Sequence, residues 1–183
     1  VDNPYFQVNQ YNTRGMIYSF LHQFNIMQVK APEGYTAADI RTLEDTDWTP
    51  PVSTEKRPHI IMIMGEAFSD LSENAHLDFT GYRDPMKNWK EICAEEGGHV
   101  VVPNFGGGTS NTEYDVLTGC ATRYLGSSLP SYSFIHSDFD GMPRQLQKLG
   151  YETLSIHPGY AWFYNRQNVY PDLGFAASYF LED

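Results

Sequence analysis

The stretch Gly106-Gly107-Gly108-Thr109-Ser110-Asn111-Thr112-Glu113-Tyr114 decides how this chain reads. Three glycines run into two hydroxyl residues where a helix should begin. Ser110 and Glu113 have the S-x-x-E spacing of a capping box, and Tyr114, Val116 and Leu117 supply apolar periodicity behind them. A helix is therefore expected over 111–117. Glycines let backbone approach a ligand closely, and the N–H groups of a first helical turn attract anions. A threonine hydroxyl held there can attack, or carry, a phosphoryl or sulfuryl group. The same residues also suit a Gly-rich loop that only caps a helix.

Upstream, His59-Ile60-Ile61-Met62-Ile63-Met64 is an apolar run between Pro58 and Gly65, the pattern of a short buried strand in a parallel sheet. Gly65-Glu66-Ala67-Phe68-Ser69-Asp70 follows it directly. In open α/β sheets chemistry gathers at the carboxyl ends of strands, and Glu66 falls at such an end. A carboxylate there is a hard oxygen ligand for Mg²⁺ or Mn²⁺. Equally, Glu66 or Asp70 can simply cap a following helix.

A helix is expected over 85–96, with Pro85 in its first turn and Gly97-Gly98 as its stop. Residues 99–103 read as a second strand feeding the Gly-rich loop. Residues 124–139, rich in Ser, Tyr and Pro, read as a loop over the site. A helix over 142–149 ends at Gly150, and 151–156 reads as a third strand with His157 at its carboxyl end. Alternating strands and helices predict an α/β fold, a mostly parallel sheet with helices on both faces. In that fold three strands deliver Glu66, Thr109 and His157 to one edge.

Toward the N-terminus, Ile17, Phe20, Leu21, Phe24 and Met27 give helical spacing over 15–29. Residues 36–43 suit a short helix, and 47–57, with Pro50-Pro51, a polar linker. The expected organisation is a helical and linker segment over 1–57 and a catalytic-type domain over 58–183.

Hydrophobic residues make up 41% of the 183, enough for a core. A net charge of −11 argues against nucleic acid as a partner. No segment approaches the roughly 20 apolar residues of a membrane span, and the first residues have no signal-peptide pattern. Cys93 and Cys120 fit either a disulfide or two free thiols, and no C-x-x-C metal spacing occurs. His22 and His136 stand alone, without ligand spacing, as structural histidines do.

Three segments, HIIMIMGEAFSDL, NFGGGTSNTEYDVLTG and GYETLSIHPGYAWFYNRQNVYPDLGF, occur in an order that resembles the lipoteichoic acid synthase and phosphoglycerol transferase group. That group belongs to the alkaline phosphatase and sulfatase superfamily. The resemblance runs from about Tyr11 to the end. It implies Thr109 as a nucleophile that becomes glycerophosphorylated, with Ser110 the runner-up. It implies Glu66 and the Thr109 oxygen as ligands of Mn²⁺ or Mg²⁺. It implies His157, Tyr164 and Arg166 as the residues holding the glycerophosphate group. Tyr164 departs from the tryptophan usual in the group, and Gly65 from the polar residue usual before the glutamate.

The group completes its metal site with a downstream Asp-His pair and a further His, which nothing in this sequence matches. The expectation is the first half of a catalytic domain, lacking its C-terminal half and a preceding membrane anchor, from the extracellular face of a bacterial membrane. The implied donor is phosphatidylglycerol, and the implied acceptor a glycerophosphate polymer or a glycan. A related sulfatase-type hydrolase, a phosphoethanolamine transferase and an inactive binding module are the alternatives. No C/S-x-P-x-R motif stands at Thr109, which counts against sulfate esters.

Overall fold

The computed structural model describes residues 7–26, 29, 31, 33–44, 57–65, 68–78, 80–81, 83–102, 104, 107–125 and 129–183. The chain divides into two compact units, one of residues 1–37 with 102–183 and one of residues 38–101.

The first unit opens with helices α1, Gln7–Arg14, and α2, Met16–Ile26, which pack on each other. The expected helix over 15–29 corresponds to α2. The rest of the unit is an α/β arrangement. Helix α5 spans Thr109–Thr118, α6 Met142–Lys148 and α7 Arg166–Leu173. Strands β1, Leu154–Ile156, and β2, Ala177–Tyr179, pair in parallel, Leu154 opposite Ala177 and Ile156 opposite Tyr179. β1 falls inside the third expected strand. β2 and α7 carry no clear signal of their own: β2 is three residues long, and α7 contains Pro171.

The core of this unit is Tyr114, Tyr132, Ile135, Val169, Tyr170 and Leu173, with Leu117, Phe139 and Phe175 against it. Residues 124–139 were expected as a loop over the site. Their 3-10 turn Ser131–Phe134 instead packs on α5, and Tyr132 and Ile135 enter the core. Segments rich in Ser and Pro still bury an aromatic ring where its hydroxyl finds a partner. Arg144 ties α6 to α7, donating from Nη2 to the Asp172 carbonyl (2.8 Å) and from Nε to the Phe139 carbonyl (3.1 Å).

The second unit holds α3, Ala37–Glu44, of which Ala38 onward belongs to it, and α4, Lys87–Glu96. Pro85 lies ahead of α4, outside its first turn, because Met86 is the N-cap. Gly97 is the residue at which α4 stops. Residues 60–64 and 99–102 are not strands: neither has a ladder partner among the described residues. Ile61 is 84% exposed and Val101 95%. His59, expected at the head of a buried strand, is exposed as well. An apolar run states which side chains want burial, but a strand exists only once a second backbone takes its N–H and C=O groups. The expected delivery of three site residues by three strands reduces to β1 delivering His157. Cys93 and Cys120 are free thiols.

Candidate active site

Helix α5 carries the first candidate. Gly108 is its N-cap with φ +83°, a left-handed conformation that glycine adopts without the steric penalty of a Cβ. The helix therefore begins at Thr109, two residues before the expected start. Among the described residues, no side chain caps this end. The first N–H groups of a helix lack intrahelical partners, so an uncapped end keeps its attraction for an anion. Thr109 sits half-buried at the first position.

The expected capping box is not formed. Ser110 lies inside the helix, fully buried, and its Oγ has no hydrogen-bond partner among the described residues. Glu113 turns away from the helix end. Its carboxylate accepts from Arg166 Nη2 at Oε1 (2.6 Å) and from Arg166 Nε at Oε2 (3.1 Å). Tyr132 and Tyr170 donate their hydroxyls to the same Oε2, at 2.8 and 3.1 Å. A buried carboxylate is stable when it is paired and its lone pairs are filled, and this one meets both conditions. The S-x-x-E spacing was compatible with either fate; burial beside a guanidinium decided it.

Arg166 is 1% exposed. Its Nη1 donates to the Phe163 carbonyl (3.1 Å), and its guanidinium lies 5.1 Å from the Tyr164 ring centre. Burial alone pulls the guanidinium pKa down, but the Glu113 hydrogen bonds and charge more than offset this and leave it raised. Burial, then the Glu113 charge, pushes the Tyr132 and Tyr170 hydroxyls above the usual phenol range. Tyr164 and Asn165 both have positive φ, +58° and +60°. Consecutive non-glycine residues in that region cost of order 1–3 kcal/mol each and persist where surrounding contacts over-determine them.

His157 follows β1 directly and continues the ladder, donating its N–H to the Tyr179 carbonyl (2.9 Å). Its Nδ1 accepts from the Gly159 N–H (3.0 Å), which assigns the neutral ring's proton to Nε2. A Cβ at Gly159 would meet His157 Cε1 at 2.9 Å, so glycine permits this close approach. Tyr164 is half-buried above Arg166. Three of the substrate-side candidates thus lie on one continuous stretch after β1, and Glu113 ties that stretch to the Thr109 helix. Glu66 lies outside the described residues.

Asn104 gave no signal in the sequence, yet it braces the start of α5. Asn111 Nδ2 donates to Asn104 Oδ1 (3.1 Å), and Asn104 Nδ2 donates to Thr112 Oγ1 (3.3 Å). Tyr132 and Tyr170 were also missed, because their role depends on a carboxylate 19 and 57 residues away. Asp115 accepts from the Thr122 N–H (2.7 Å) and Asp70 from the Ser72 N–H (2.9 Å), so both serve as local caps.

Among the described residues, no group of three or more His, Cys, Asp or Glu could hold a metal ion. Of the two carboxylates on the Thr109 helix, Glu113 is committed to Arg166 and Asp115 to Thr122. The described residues thus do not by themselves fit a divalent-cation site. No described helix is long and apolar enough to cross a membrane.

A hydroxyl thus stands at a Gly-preceded helix start, where N–H groups attract an anion, and a histidine follows a strand of a parallel pair. The chain belongs to the sulfatase family, whose pattern matches residues 58–182, and so to the alkaline phosphatase–sulfatase superfamily. It is 31% identical over 170 residues to a protein of Rhizobium meliloti (strain 1021) named for cyclic beta-1,2-glucan modification. That match covers 92% of this chain and 26% of the relative, so the chain spans about a quarter of the relative's length. Among solved structures it is similar to the lipoteichoic acid synthase LtaP from Listeria monocytogenes, at 28% identity and a TM-score of 0.39, over 44% of this chain and 19% of that one.

Proposed function

We propose that this chain is part of a transferase that moves glycerophosphate from phosphatidylglycerol to an acceptor hydroxyl through a covalent Thr109 intermediate. The observation that carries this reading is Thr109 at the first position of α5, behind left-handed Gly108, on a helix end that no side chain among the described residues caps. The Thr109 Oγ attacks phosphorus; an Oγ–P bond forms, and the bond to the diacylglycerol oxygen breaks. The departing alcohol takes a proton. The acceptor hydroxyl then attacks the same phosphorus and releases Thr109. Splitting the transfer in two replaces one difficult step with two easier ones.

His157, Tyr164 and Arg166 hold the glycerophosphate group in this reading. With Nδ1 occupied by Gly159, Nε2–H is the donor His157 offers to a phosphate oxygen or the departing oxygen. Arg166 has one N–H on each terminal nitrogen beyond the bonds described above. Glu66 and Thr109 remain the proposed ligands of Mn²⁺ or Mg²⁺, which would supply electrophilic activation of the phosphate. The acceptor is a glycan or a glycerophosphate polymer, and the relative named for glucan modification supports the glycan. The working enzyme belongs on the extracellular face of a bacterial membrane, its site completed by a further, C-terminal part of the domain.

The test uses the full-length protein with phosphatidylglycerol vesicles and a glycan acceptor. Diacylglycerol release and a glycerophosphorylated Thr109 peptide are expected, and Thr109→Ala should abolish both. Substantial turnover by that variant refutes the nucleophile. Turnover of phosphatidylethanolamine vesicles or of a sulfate ester in parallel assays, with none of phosphatidylglycerol, would redirect the reading to the related enzymes.

A further inference from the structure

The carboxylate of Glu113 accepts four hydrogen bonds from three buried side chains, and nothing in the transfer chemistry above uses it. Glu113 stands four residues after Thr109, one turn along the same face of α5. Its partner Arg166 begins α7, 53 residues away in sequence. Arg166 reaches on to the Phe163 carbonyl, just before the left-handed Tyr164-Asn165 pair, and to the Tyr164 ring within it. Tyr132 and Tyr170 close the carboxylate from the turn after α5 and from α7 itself. Each group is buried, which limits its re-pairing with water when a partner is removed.

We infer that Glu113 is a positioning residue: it fixes Arg166, and through it the Phe163–Arg166 stretch, at a set place relative to Thr109. The inference rests on the transferase reading for its kinetic consequence, but its geometric claim stands on the buried cluster alone. A bidentate guanidinium–carboxylate pair fixes direction as well as distance, which a single hydrogen bond does not. Misplacement of a substrate-holding group by an ångström costs up to about 100-fold in rate. Misplacement should therefore appear in kcat more than in KM.

The experiment compares full-length wild type, Glu113→Gln, Tyr132→Phe, Tyr170→Phe and Thr109→Ala. Two readouts are taken per mole of cooperatively folded protein: kcat and KM for diacylglycerol release, and amide hydrogen exchange. Glu113→Gln is expected to lower kcat by about 10- to 100-fold with KM within about 2-fold. Exchange should speed at 160–166 while the β1–β2 ladder stays protected. The tyrosine variants keep the ion pair and should show the same pattern, severalfold smaller. They carry the test if Glu113→Gln does not fold.

A folded Glu113→Gln protein with wild-type kcat and wild-type exchange at 160–166 overturns the inference. So do tyrosine variants unchanged in both readouts. If Thr109→Ala retains turnover, or the wild type has none, the transferase reading falls. Hydrogen exchange then decides the positioning role by itself, faster exchange supporting it and unchanged exchange ending it.

Discussion

The two compact units of this chain hold their polar groups in opposite ways. In the unit of residues 38–101, four carboxylate or amide side chains each accept a hydrogen bond from the backbone N–H two residues on: Asp70 to Ser72, Asn74 to His76, Asp78 to Thr80 and Asp84 to Met86. These are Asx turns, made by local geometry and needing no core. Helix α4 buries none of its residues, and its Lys90 meets Asp70 and Asp84 at the surface. In the 102–183 part of the other unit, the decisive bonds span long separations: Arg166 to Glu113, Tyr170 to Glu113, Thr153 to the Gly174 carbonyl. Local polar chemistry can shape a segment without packing it, whereas distant polar chemistry requires packing first.

The largest effect that would break this comparison is at the buried pair. Glu113→Ala leaves Arg166 buried and unpaired, and denaturant unfolding should show a loss of about 3–5 kcal/mol. A loss below about 1 kcal/mol would mean that the pair is open to water. Next comes the apolar core. Leu173 is fully buried, so Leu173→Ala should cost about 2–5 kcal/mol. Ile61→Ala, at an exposed position, should stay within about 0.5 kcal/mol. Equal costs at the two positions would show that the 60–64 run is buried in solution, and would erase the contrast between the units.

A smaller effect tests the tyrosines and their pH dependence. A hydroxyl whose folded pKa is raised above the ordinary value of 10.0 keeps its proton in the folded state when the unfolded chain has lost it. The unfolded state then binds fewer protons, so stability falls as pH rises above about 10. Below that pH the contribution is fully present. Tyr132→Phe should cost about 1.5–3 kcal/mol near neutral pH, since it deletes a bond to a charged group, and should flatten the alkaline loss. An unchanged alkaline slope would assign that loss elsewhere. The smallest effect belongs to Lys90→Ala, which should leave the thermal midpoint within replicate scatter, because exposed ion pairs are screened by water and salt. A clear drop would mark the unit of residues 38–101 as held by charge.

Much of the α/β half was legible in the sequence. Helices α5 and α6 and strand β1 follow from apolar periodicity and glycine stops, and His157 falls after β1 as expected. Strand β2 could not be read, because Ala177-Ser178-Tyr179 becomes a strand only by pairing with β1. Runs 60–64 and 99–102 erred in the other direction: their composition suits strands, but the described residues offer them no partner. Thr109, His157, Tyr164 and Arg166 were all singled out, yet the sequence could not see that Arg166 is tied to Glu113.

By itself the sequence determined the local matters: where glycines allow a left-handed turn before Thr109, which segments want burial, and that the family is that of the sulfatases. These depend on residues within a turn or two of each other, or on motif order along the chain. Only the tertiary structure decided the fate of Glu113. As a capping residue it would have answered to Ser110, three positions away. As a buried carboxylate it answers to Arg166, Tyr132 and Tyr170, because a charge taken out of water must find its opposite and fill its lone pairs wherever the fold brings them.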